Sequence, residues 1–402
     1  LAAIPSVALR YPVKKWAAVA ALLASAFYLA ISGAAPPAVR AFVMLATMMT
    51  AVLLDRPALT MRSLALAAAI LLLARPEVII DAGFQMSFAA VAALIAVAEW
   101  EQSRERLHPR GMLYRYLHGI VMTSLVASLA TAPFTLFYFE RAAHYAVLGN
   151  LIAMPVMGFW IMPAAAFSVL LMPLGLERLP LEVMGQGISV MVAMGRWVSG
   201  LPGSVSLVSA MPLAALVLLS LGGLWLAIWR QRWRWWGIIP MFAGVILACF
   251  APRPNILVAS DATTIALRGD DGLLHFLRKP RNNFLAREWL KRDGDGREVA
   301  DAIGITGLRC DGLGCVVNRP PMIAAGLRPE ALLEDCARAT VVVNAAMGPC
   351  KGPAVVIDQK KAAEGQGWEI FLSSSSSASS VRAWRGERPW VAKPYQLEIN
   401  TF

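Results

Sequence analysis

A succession of long apolar segments fills residues 16–250 and constrains this chain more than any other feature. A membrane-spanning helix needs about 20 apolar residues, because the hydrocarbon core is roughly 30 Å thick and a helix rises 1.5 Å per residue. The pattern therefore predicts a polytopic α-helical membrane bundle of about nine helices, with an error of one or two. The candidate spans are Trp16–Ser32, Ala41–Leu54, Ser63–Ala74, Val78–Trp100, Ile120–Phe139, Tyr145–Met172, Leu181–Val198, Ser206–Trp229 and Gly237–Phe250.

The composition supports a membrane protein, since 58% of the residues are hydrophobic and 16% are charged. An ordinary soluble domain carries about a quarter of its residues as charge. The density of charge rises after Phe250, where Ala251-Pro252-Arg253-Pro254 contains two prolines that stop a helix. We therefore predict a transmembrane domain over residues 1–252 and a soluble domain over residues 253–402.

Short strand-like runs and two helical patterns predict a small α+β or mostly β fold for the soluble domain. The runs are Asn255–Ala259, Thr264–Arg268, Leu273–Leu277, Thr340–Val343, Ala354–Ile357 and Trp368–Leu372, and the helical patterns are Phe284–Lys291 and Pro329–Ala339. The serine-rich segment Ser373–Ser380 predicts a flexible loop. Asp293-Gly294-Asp295-Gly296 is interpreted as a turn, because the remaining acidic positions of a calcium loop are missing.

The connections between the spans indicate an orientation, because short cytoplasmic loops keep an excess of Lys and Arg. With the start of the chain inside, thirteen cations fall on the inward side: Arg10, Lys14, Lys15, Arg56, Arg62, Arg104, Arg106, Arg110, Arg115, Arg178, Arg230, Arg232 and Arg234. Four fall on the outward side: Arg40, Arg75, Arg141 and Arg196. This bias predicts an outward-facing soluble domain. The net charge of +11 suggests a nucleic-acid partner. Retention of Lys and Arg on the cytoplasmic side is the alternative explanation of this charge.

Four of the five cysteines lie in the soluble part, at Cys310, Cys315, Cys336 and Cys350, and the fifth is Cys249 in the last span. An even set in a segment that faces an oxidising compartment predicts one or two disulfides, with three pairings open. Free thiols are one alternative. A zinc site is another, although there is no CxxC pair and His275 is the only nearby histidine.

Polar groups within the apolar segments are functional candidates, because they are costly in hydrocarbon unless they face protein or water. Arg40 follows the prolines Pro36-Pro37 near the predicted outer face. An anionic polymer that enters from outside would meet this guanidinium first. In the alternative interpretation, the arginine extends to the lipid headgroups.

A second polar cluster comprises Asp81, Phe84, Gln85, Ser87 and Phe88 in one predicted helix. At 100° per residue, Asp81, Gln85 and Phe88 share a face, and Phe84 and Ser87 lie beside it. Such a face lines a water-filled path or hydrogen-bonds to a neighbouring helix. Both interpretations remain open at this point.

Two more clusters lie further along the chain. Thr131 is accompanied by Thr123, Ser124, Ser128 and Pro133, and its hydroxyl can bond back to the preceding turn. Asn150 precedes a segment with Pro155, Gly158 and Pro163 that should kink or split, so that the amide could cap a half-helix. None of the clusters has an acid–base pair, a nucleophile–base pair or metal-ligand spacing, which favours a conduit or scaffold over an enzyme.

Together these stretches resemble ComEC-type competence proteins, the inner-membrane channels for DNA uptake in natural transformation. The matching stretches cover the membrane part: Pro37-Ala38-Val39-Arg40-Ala41 with Met44, Asp81-x-Gly83-Phe84-Gln85-x-Ser87-Phe88, Thr131-Ala132-Pro133 followed by Phe139, and Asn150-Leu151-x-Ala153-x-Pro155. The resemblance implies a multi-pass protein of the bacterial inner membrane with a periplasmic C-terminal domain. It implies passage of single-stranded DNA from periplasm to cytoplasm, no cofactor, and a periplasmic DNA receptor and a cytoplasmic translocation helicase as partners.

A charged strand can cross the bilayer only through a wet, polar or cationic path, on which aromatic rings can act as stacking platforms. The resemblance implies a path lined by Arg40, Asp81, Phe84, Gln85, Ser87, Phe88, Thr131 and Asn150. Asp81 fits such a path if it is protonated or paired, for example with an arginine.

The sequence departs from the family in two respects. Members usually begin with a signal-like helix, an OB-like domain and earlier spans, so we expect this chain to be a C-terminal portion. Many members end in a metallo-β-lactamase-like domain with an HxHxDH cluster for two metals, whereas the histidines here are His108, His118, His144 and His275. We therefore predict a degenerate or replaced domain with no metal site and no nuclease activity.

Three hypotheses follow from the sequence. The first is a DNA-translocation channel, in which the polar clusters enclose a hydrated passage. The second is a small-solute transporter or exporter, which would move solute without any dependence on DNA. The third is a membrane-anchored hydrolase that acts through the soluble domain.

Overall fold

The computed structural model describes residues 12–102, 111–317, 322–344, 355–372 and 377–386. The chain forms two compact units. Unit 1 comprises Leu1–Ser206 and Met211–Phe250, and unit 2 comprises Leu207–Ala210 and Ala251–Phe402.

Unit 1 is helical. Its α-helices are α1 (Val13–Ile31), α2 (Pro36–Leu53), α3 (Met61–Ala74), α4 (Ala82–Gln102), α5 (Met112–Phe139), α6 (Ala146–Val156), α7 (Met162–Leu171), α8 (Arg178–Ser199), α9 (Leu213–Ile228) and α10 (Ile238–Cys249). Short strands β1 (Arg141–Ala143) and β2 (Val205–Leu207) pair with each other.

Five segments of unit 1 are long and apolar enough to cross a membrane: Val13–Ile31, Pro36–Leu53, Ala82–Glu101, Leu113–Phe139 and Ala146–Leu174. Helices α3 and α9 are apolar but shorter. The chain is therefore a helical membrane protein with five such helices among the described residues, and the count of nine spans remains a prediction.

Three of the predicted spans differ from the helices that form. The span predicted from Val78 is not one helix, because Pro76–Ile80 is a 3₁₀ helix and α4 begins only at Ala82. The segment Tyr145–Met172 is not split into half-helices, because a π-helical turn at Met157–Ile161 joins α6 to α7. A π turn absorbs the hydrogen bonds that proline disrupts without breaking the helix.

The predicted span Ser206–Trp229 also begins too early. Helix α9 starts at Leu213, after Pro212, and Leu207–Ala210 belongs to unit 2. There the Ala210 backbone N–H donates to the Arg292 carbonyl oxygen at 2.7 Å. The Arg253 guanidinium donates to the Ser209 hydroxyl at 3.1 Å. These polar contacts compete with continuation of the helix.

Unit 2 contains two five-stranded sheets. The strands are β3 (Ile256–Val258), β4 (Ile265–Arg268), β5 (Leu274–Phe276), β6 (Leu308–Cys310), β7 (Gly314–Val317), β8 (Ile323–Gly326), β9 (Val341–Asn344), β10 (Val355–Asp358), β11 (Trp368–Phe371) and β12 (Ser377–Ser380). The first sheet has the order β12-β11-β3-β4-β5 and is antiparallel. The second has the order β10-β9-β8-β7-β6, in which β8, β9 and β10 are parallel.

The two sheets pack face to face with a helix on each outer surface. Alternate residues of β4 point to opposite sides of the first sheet. Ile265 and Leu267 lie in the core between the two sheets, whereas Ala266 faces α11 (Asn283–Asp293) on the outer side. The second sheet is covered in the same way by α12 (Leu332–Arg338). Two short helices, α13 (Gln359–Gly365) and α14 (Val381–Arg385), complete the unit.

The six strand-like runs of the soluble part lie within one residue of β3, β4, β5, β9, β10 and β11, which confirms the expected mixture of strands and helices. The sequence did not predict β6, β7, β8 or β12. The loop predicted at Ser373–Ser380 is wrong for Ser377–Ser380, which pairs with β11. The rest of that loop lies outside the described residues.

The cysteines are partly resolved. Cys310 and Cys315 face each other in the register of β6 and β7 and form a disulfide. Cys336 is also disulfide-bonded, Cys249 is free, and Cys350 lies outside the described residues. The alternatives of free thiols and a zinc site are therefore wrong for Cys310, Cys315 and Cys336.

Candidate functional site

The first two polar clusters of the sequence meet at an ion pair in unit 1. Arg40, in the second turn of α2, places Nη1 2.8 Å from Oδ2 of Asp81. The arginine side chain is 14% exposed and the aspartate side chain is 44% exposed. Pairing removes most of the cost that either charge would carry in an apolar environment.

Asp81 also begins helix α4, which corrects the expectation that it lies inside a helix. Its carboxylate accepts hydrogen bonds from the backbone N–H groups of Gly83 at 3.3 Å and Phe84 at 3.2 Å. These groups have no partner within the helix, so a carboxylate at this position caps it. The Asp81 side chain therefore both caps the start of α4 and pairs with Arg40 of α2.

Gly83 gives the guanidinium of Arg40 the space that it occupies. A Cβ atom on Gly83 would lie 2.5 Å from Nη2 of Arg40, closer than such contacts occur. The motif Asp81-x-Gly83 therefore has a physical explanation: the acid binds the arginine, and the glycine allows it to approach the helix.

Gln85 fixes the preceding 3₁₀ turn, because its amide Nε2 donates to the Ile79 carbonyl oxygen at 2.8 Å. Tyr138 of α5, which no sequence motif singled out, donates its hydroxyl to the neighbouring Ile80 carbonyl at 3.0 Å. A tyrosine at the polar end of an apolar helix is the signal that could have identified it.

Two buried polar atoms at this site have no partner among the described residues. They are Nε of Arg40 and Oε1 of Gln85. Buried polar atoms almost always have a hydrogen-bond partner, which can be water or a ligand. The Arg40–Asp81 site is therefore suited to contact with water or with a hydrogen-bonding ligand.

The aromatic candidates lie on the next turns of α4. The rings of Phe84 and Phe88 contact each other with centroids 4.4 Å apart, and Phe84 is buried. Ser87 is half-buried and makes no side-chain hydrogen bond in the described part of the chain. A buried Phe84 needs a rearrangement before it can stack on a base.

Thr131 and Asn150 are not joined to this site by any hydrogen bond or ion pair among residues that the structure describes. Thr131 bonds back to the Ala127 carbonyl at 2.8 Å, as the simpler interpretation expected. Asn150 lies inside α6 and not at the start of a half-helix, so the expected capping role is wrong.

Unit 2 has a cleft of ≈ 430 Å³ lined by Gly269, Asp270, Asp271, His275, Gly304, Ile305 and Thr306. His275 Nε2 lies 2.8 Å from Oδ2 of Asp271. The Leu273 backbone N–H and the His275 hydrogen bond lower the pKa of Asp271 below its ordinary value. This pair keeps the carboxylate ionised.

The described residues of unit 2 do not fit a two-metal centre. Of the four histidines of the chain, His275 alone belongs to this unit. The described residues hold no cluster of three or more His, Cys, Asp or Glu side chains suited to a metal ion. The described part of unit 2 therefore offers no ligand set for metal-dependent hydrolysis.

Two comparisons with known proteins find the same family. The family model described as "Competence protein" matches residues 1–233, which is more than half of the chain. The chain is also 29% identical over 158 residues to "ComE operon protein 3" of Bacillus subtilis (strain 168). That match covers 39% of this chain and 19% of the relative. No solved structure matches the chain.

Proposed function

This chain belongs to the competence protein family, and from that premise we propose that it forms the membrane passage for single-stranded DNA in natural transformation. The resemblance seen in the sequence is thereby confirmed at the level of the family. The matched chain spans 19% of the length of its curated relative, so activity, direction and partners are parts of this proposal.

The convergence of Arg40, Asp81 and Gln85 is the observation that carries the proposal. Arg40 lies in α2, whereas Asp81 directly precedes α4 and Gln85 lies in the first turn of α4. Arg40 pairs with Asp81, and among the described residues Arg40 and Gln85 each retain a buried polar atom without a partner. A wet, polar site with a guanidinium is what a polyanion needs at membrane depth, since a charged strand cannot cross hydrocarbon.

We place the protein in the bacterial inner membrane with unit 2 in the periplasm, as the excess of inward cations favours. DNA would pass from periplasm to cytoplasm. A periplasmic DNA receptor and a cytoplasmic helicase would deliver and pull the strand. The disulfides of unit 2 agree with this orientation, because disulfides persist in oxidising compartments.

Uptake of labelled DNA into the cytoplasm tests the proposal directly. Arg40→Ala and Asn150→Leu are expected to reduce uptake at least about tenfold while the protein remains in the membrane, since 1.4 kcal/mol of lost interaction is a factor of ten. Arg75→Ala is the matched control, because Arg75 is an exposed arginine of the same predicted side. Normal uptake in both variants, or solute flux that is independent of DNA, would contradict the proposal.

We further propose that unit 2 supports transport and is not a nuclease. Within the described part of the unit, no residues fit a two-metal centre, and the His275–Asp271 pair is a single acid–base contact without a neighbouring metal cluster. Metal analysis and a nuclease assay on the purified full chain test this. Stoichiometric bound metal or DNA cleavage would favour the membrane-anchored hydrolase instead.

A further inference from the structure

Helix α8 lies alongside the long segment Ala146–Leu174. The middle of α8 touches the π turn of that segment, because Trp160 donates its indole N–H to the Val183 carbonyl at 2.9 Å. A Cβ atom on the buried Gly187 would lie 2.9 Å from the Ile161 side chain. The short connection before α8 and the pairing of β1 with β2 after it make the two segments antiparallel.

Helix α8 is therefore positioned to cross the bilayer beside a segment that qualifies as a span. It has 22 residues, and at 1.5 Å per residue it reaches about 33 Å, enough for the hydrocarbon core. It is absent from the five qualifying segments because its charged and polar residues lower its average hydropathy.

Those polar residues form one face, which we name the polar stripe: Arg178, Glu182, Gln186, Ser189 and Arg196. At 100° per residue the five positions lie within about 80° of one another, and Gly187 lies about 180° from Arg178. The stripe therefore points away from the helices against which α8 packs. All five residues are exposed.

The few contacts of the polar stripe are local. Arg178 pairs with Glu182 at 3.0 Å, and Ser189 bonds back to the Gly185 carbonyl at 3.0 Å. Gln186 makes no side-chain hydrogen bond within the described chain. A polar face of this length cannot face lipid tails without a cost of several kcal/mol, so water or protein must cover it.

The charge pattern favours an anionic occupant. Arginines stand at both ends, amide and hydroxyl donors lie between them, and the one carboxylate is already paired. A second copy of the chain fits poorly, because a two-fold axis along the membrane normal brings Arg196 to Arg196 and Arg178 to Arg178.

We propose that the polar stripe of α8 lines the hydrated passage and contacts the phosphate backbone of the moving strand. This inference rests on the proposed function and adds residues that the matching motifs do not contain. The Arg40–Asp81 site and the polar stripe are separate contacts, and each can be removed without altering the other.

Thiol labelling in the complete chain tests the polar stripe. Cys249 is first replaced in Cys249→Ser, because it is the exposed free cysteine among the described residues. Gln186→Cys and Ser189→Cys should react with a membrane-impermeant maleimide at least about tenfold faster than Ile188→Cys, which lies at the same depth on an apolar flank. Single-stranded DNA caught during uptake should slow the labelling, and a label at Gln186→Cys should reduce uptake.

The outcomes separate this inference from the proposed function. Equally slow labelling at the three positions means that the stripe is sealed against protein or lipid, which overturns the inference even if uptake is normal. Fast labelling that DNA does not slow also overturns it. If no version of the chain, including Cys249→Ser alone, supports uptake when its native counterpart is deleted, the proposed function fails and the inference fails with it.

Discussion

In unit 1, glycines allow α9 and the start of α10 to approach each other closely, whereas in unit 2 the two sheets meet through large apolar side chains. A Cβ atom on Gly222 of α9 would lie 2.5 Å from the Gly237 carbonyl oxygen, so the backbones touch. In unit 2, Ile256, Leu267 and Ile370 are fully buried between the sheets. The same chain therefore uses small residues for one kind of packing and large residues for the other.

The difference follows from the solvent around each unit. Lipid tails are as apolar as leucine, so helices in a bilayer gain by close approach at small residues and not by hiding apolar area. Water drives apolar side chains of unit 2 into the interior. An added methyl group should therefore damage unit 1, and a removed ring should damage unit 2.

Both units contain an ion pair between an arginine and an aspartate. Arg268 of unit 2 forms a forked pair with Asp293, with contacts of 3.0 and 2.6 Å, and the two side chains are 12% and 6% exposed. In unit 1, Arg40 pairs with Asp81 through a contact of 2.8 Å between Nη1 and Oδ2, and the aspartate side chain is more exposed than that of Asp293. Each pair joins residues that are distant in sequence, because an unpaired charge is costly in either interior.

Phe276→Ala tests whether large buried side chains stabilise unit 2, and it should have the largest effect on stability of the substitutions proposed here. Phe276 is 0% exposed and stacks on Trp289 with centroids 6.3 Å apart. Removal of a buried ring costs about 3–5 kcal/mol. Amide hydrogen exchange of β4 and β5 in the full chain should accelerate accordingly, because it measures the local opening free energy.

Phe284→Ala is the matched control, since Phe284 belongs to the same unit and is 74% exposed. It should leave the exchange of β4 and β5 nearly unchanged. Similar acceleration in both variants would mean that unit 2 is not stabilised by its apolar layers, and the contrast with unit 1 would fail.

Gly222→Ala tests the unit 1 side. The new methyl group would meet the Gly237 carbonyl and the Met241 side chain, each at 2.5 Å. Overpacking of this kind costs about 1–3 kcal/mol. The detergent-solubilised protein should lose helical signal at a lower temperature than the unmodified chain.

Gly223→Ala is the neighbouring control, because nothing lies within 4 Å of its added methyl group. It should be neutral or slightly stabilising, since alanine favours a helix over glycine by about 1 kcal/mol. If Gly222→Ala is as stable as Gly223→Ala, close approach of α9 and α10 does not hold unit 1 together.

The sequence predicted the elements of unit 1 better than their contacts. Apolar length alone identifies helices, because the bilayer sets their minimum span. The sequence left open whether Asp81 is protonated or paired with an arginine, and it did not identify Arg40 as the partner, since hydropathy contains no information about which helices are neighbours. The polar stripe of α8 is hidden for a related reason: the average apolarity of Leu181–Val198 predicts a span but contains no information about the angular position of Gln186 and Ser189.

In unit 2 the strands with a strong β pattern were predicted to within one residue, and those without it were missed. Val341–Asn344 is rich in β-branched residues, which favour a pleated surface. Ile323–Gly326 and Ser377–Ser380 contain mainly Ala, Gly and Ser, and they are strands only because partners lie beside them. Pairing between distant segments is the part that a local pattern cannot supply.

Of the three substitutions, Asp335→Asn should have the smallest effect on stability. It tests whether a buried carboxylate of unit 2 lacks the kind of ion pair that Arg40 and Asp81 form in unit 1. Asp335 of α12 is buried, and desolvation raises the pKa of its carboxyl, followed by the negative charges of Glu334 and Asp311. The carboxylate of Asp335 is thus disfavoured in the folded state. In unit 1, by contrast, the guanidinium of Arg40 has a carboxylate partner in Asp81.

The sign of the pH dependence follows from the raised pKa. A carboxyl whose folded pKa exceeds its unfolded value stabilises the fold only while it is protonated, and this contribution is lost as pH rises through the folded pKa. Asp335→Asn should therefore slow amide exchange of α12 at pH 7 and have little effect below about pH 4, the ordinary aspartate range.

Glu334→Gln is the control, because Glu334 is 71% exposed and pairs with Arg338 at 2.8 Å. A loss of protection in Asp335→Asn at pH 7 would mean that the buried carboxylate has a stabilising partner, as Asp293 and Asp81 have.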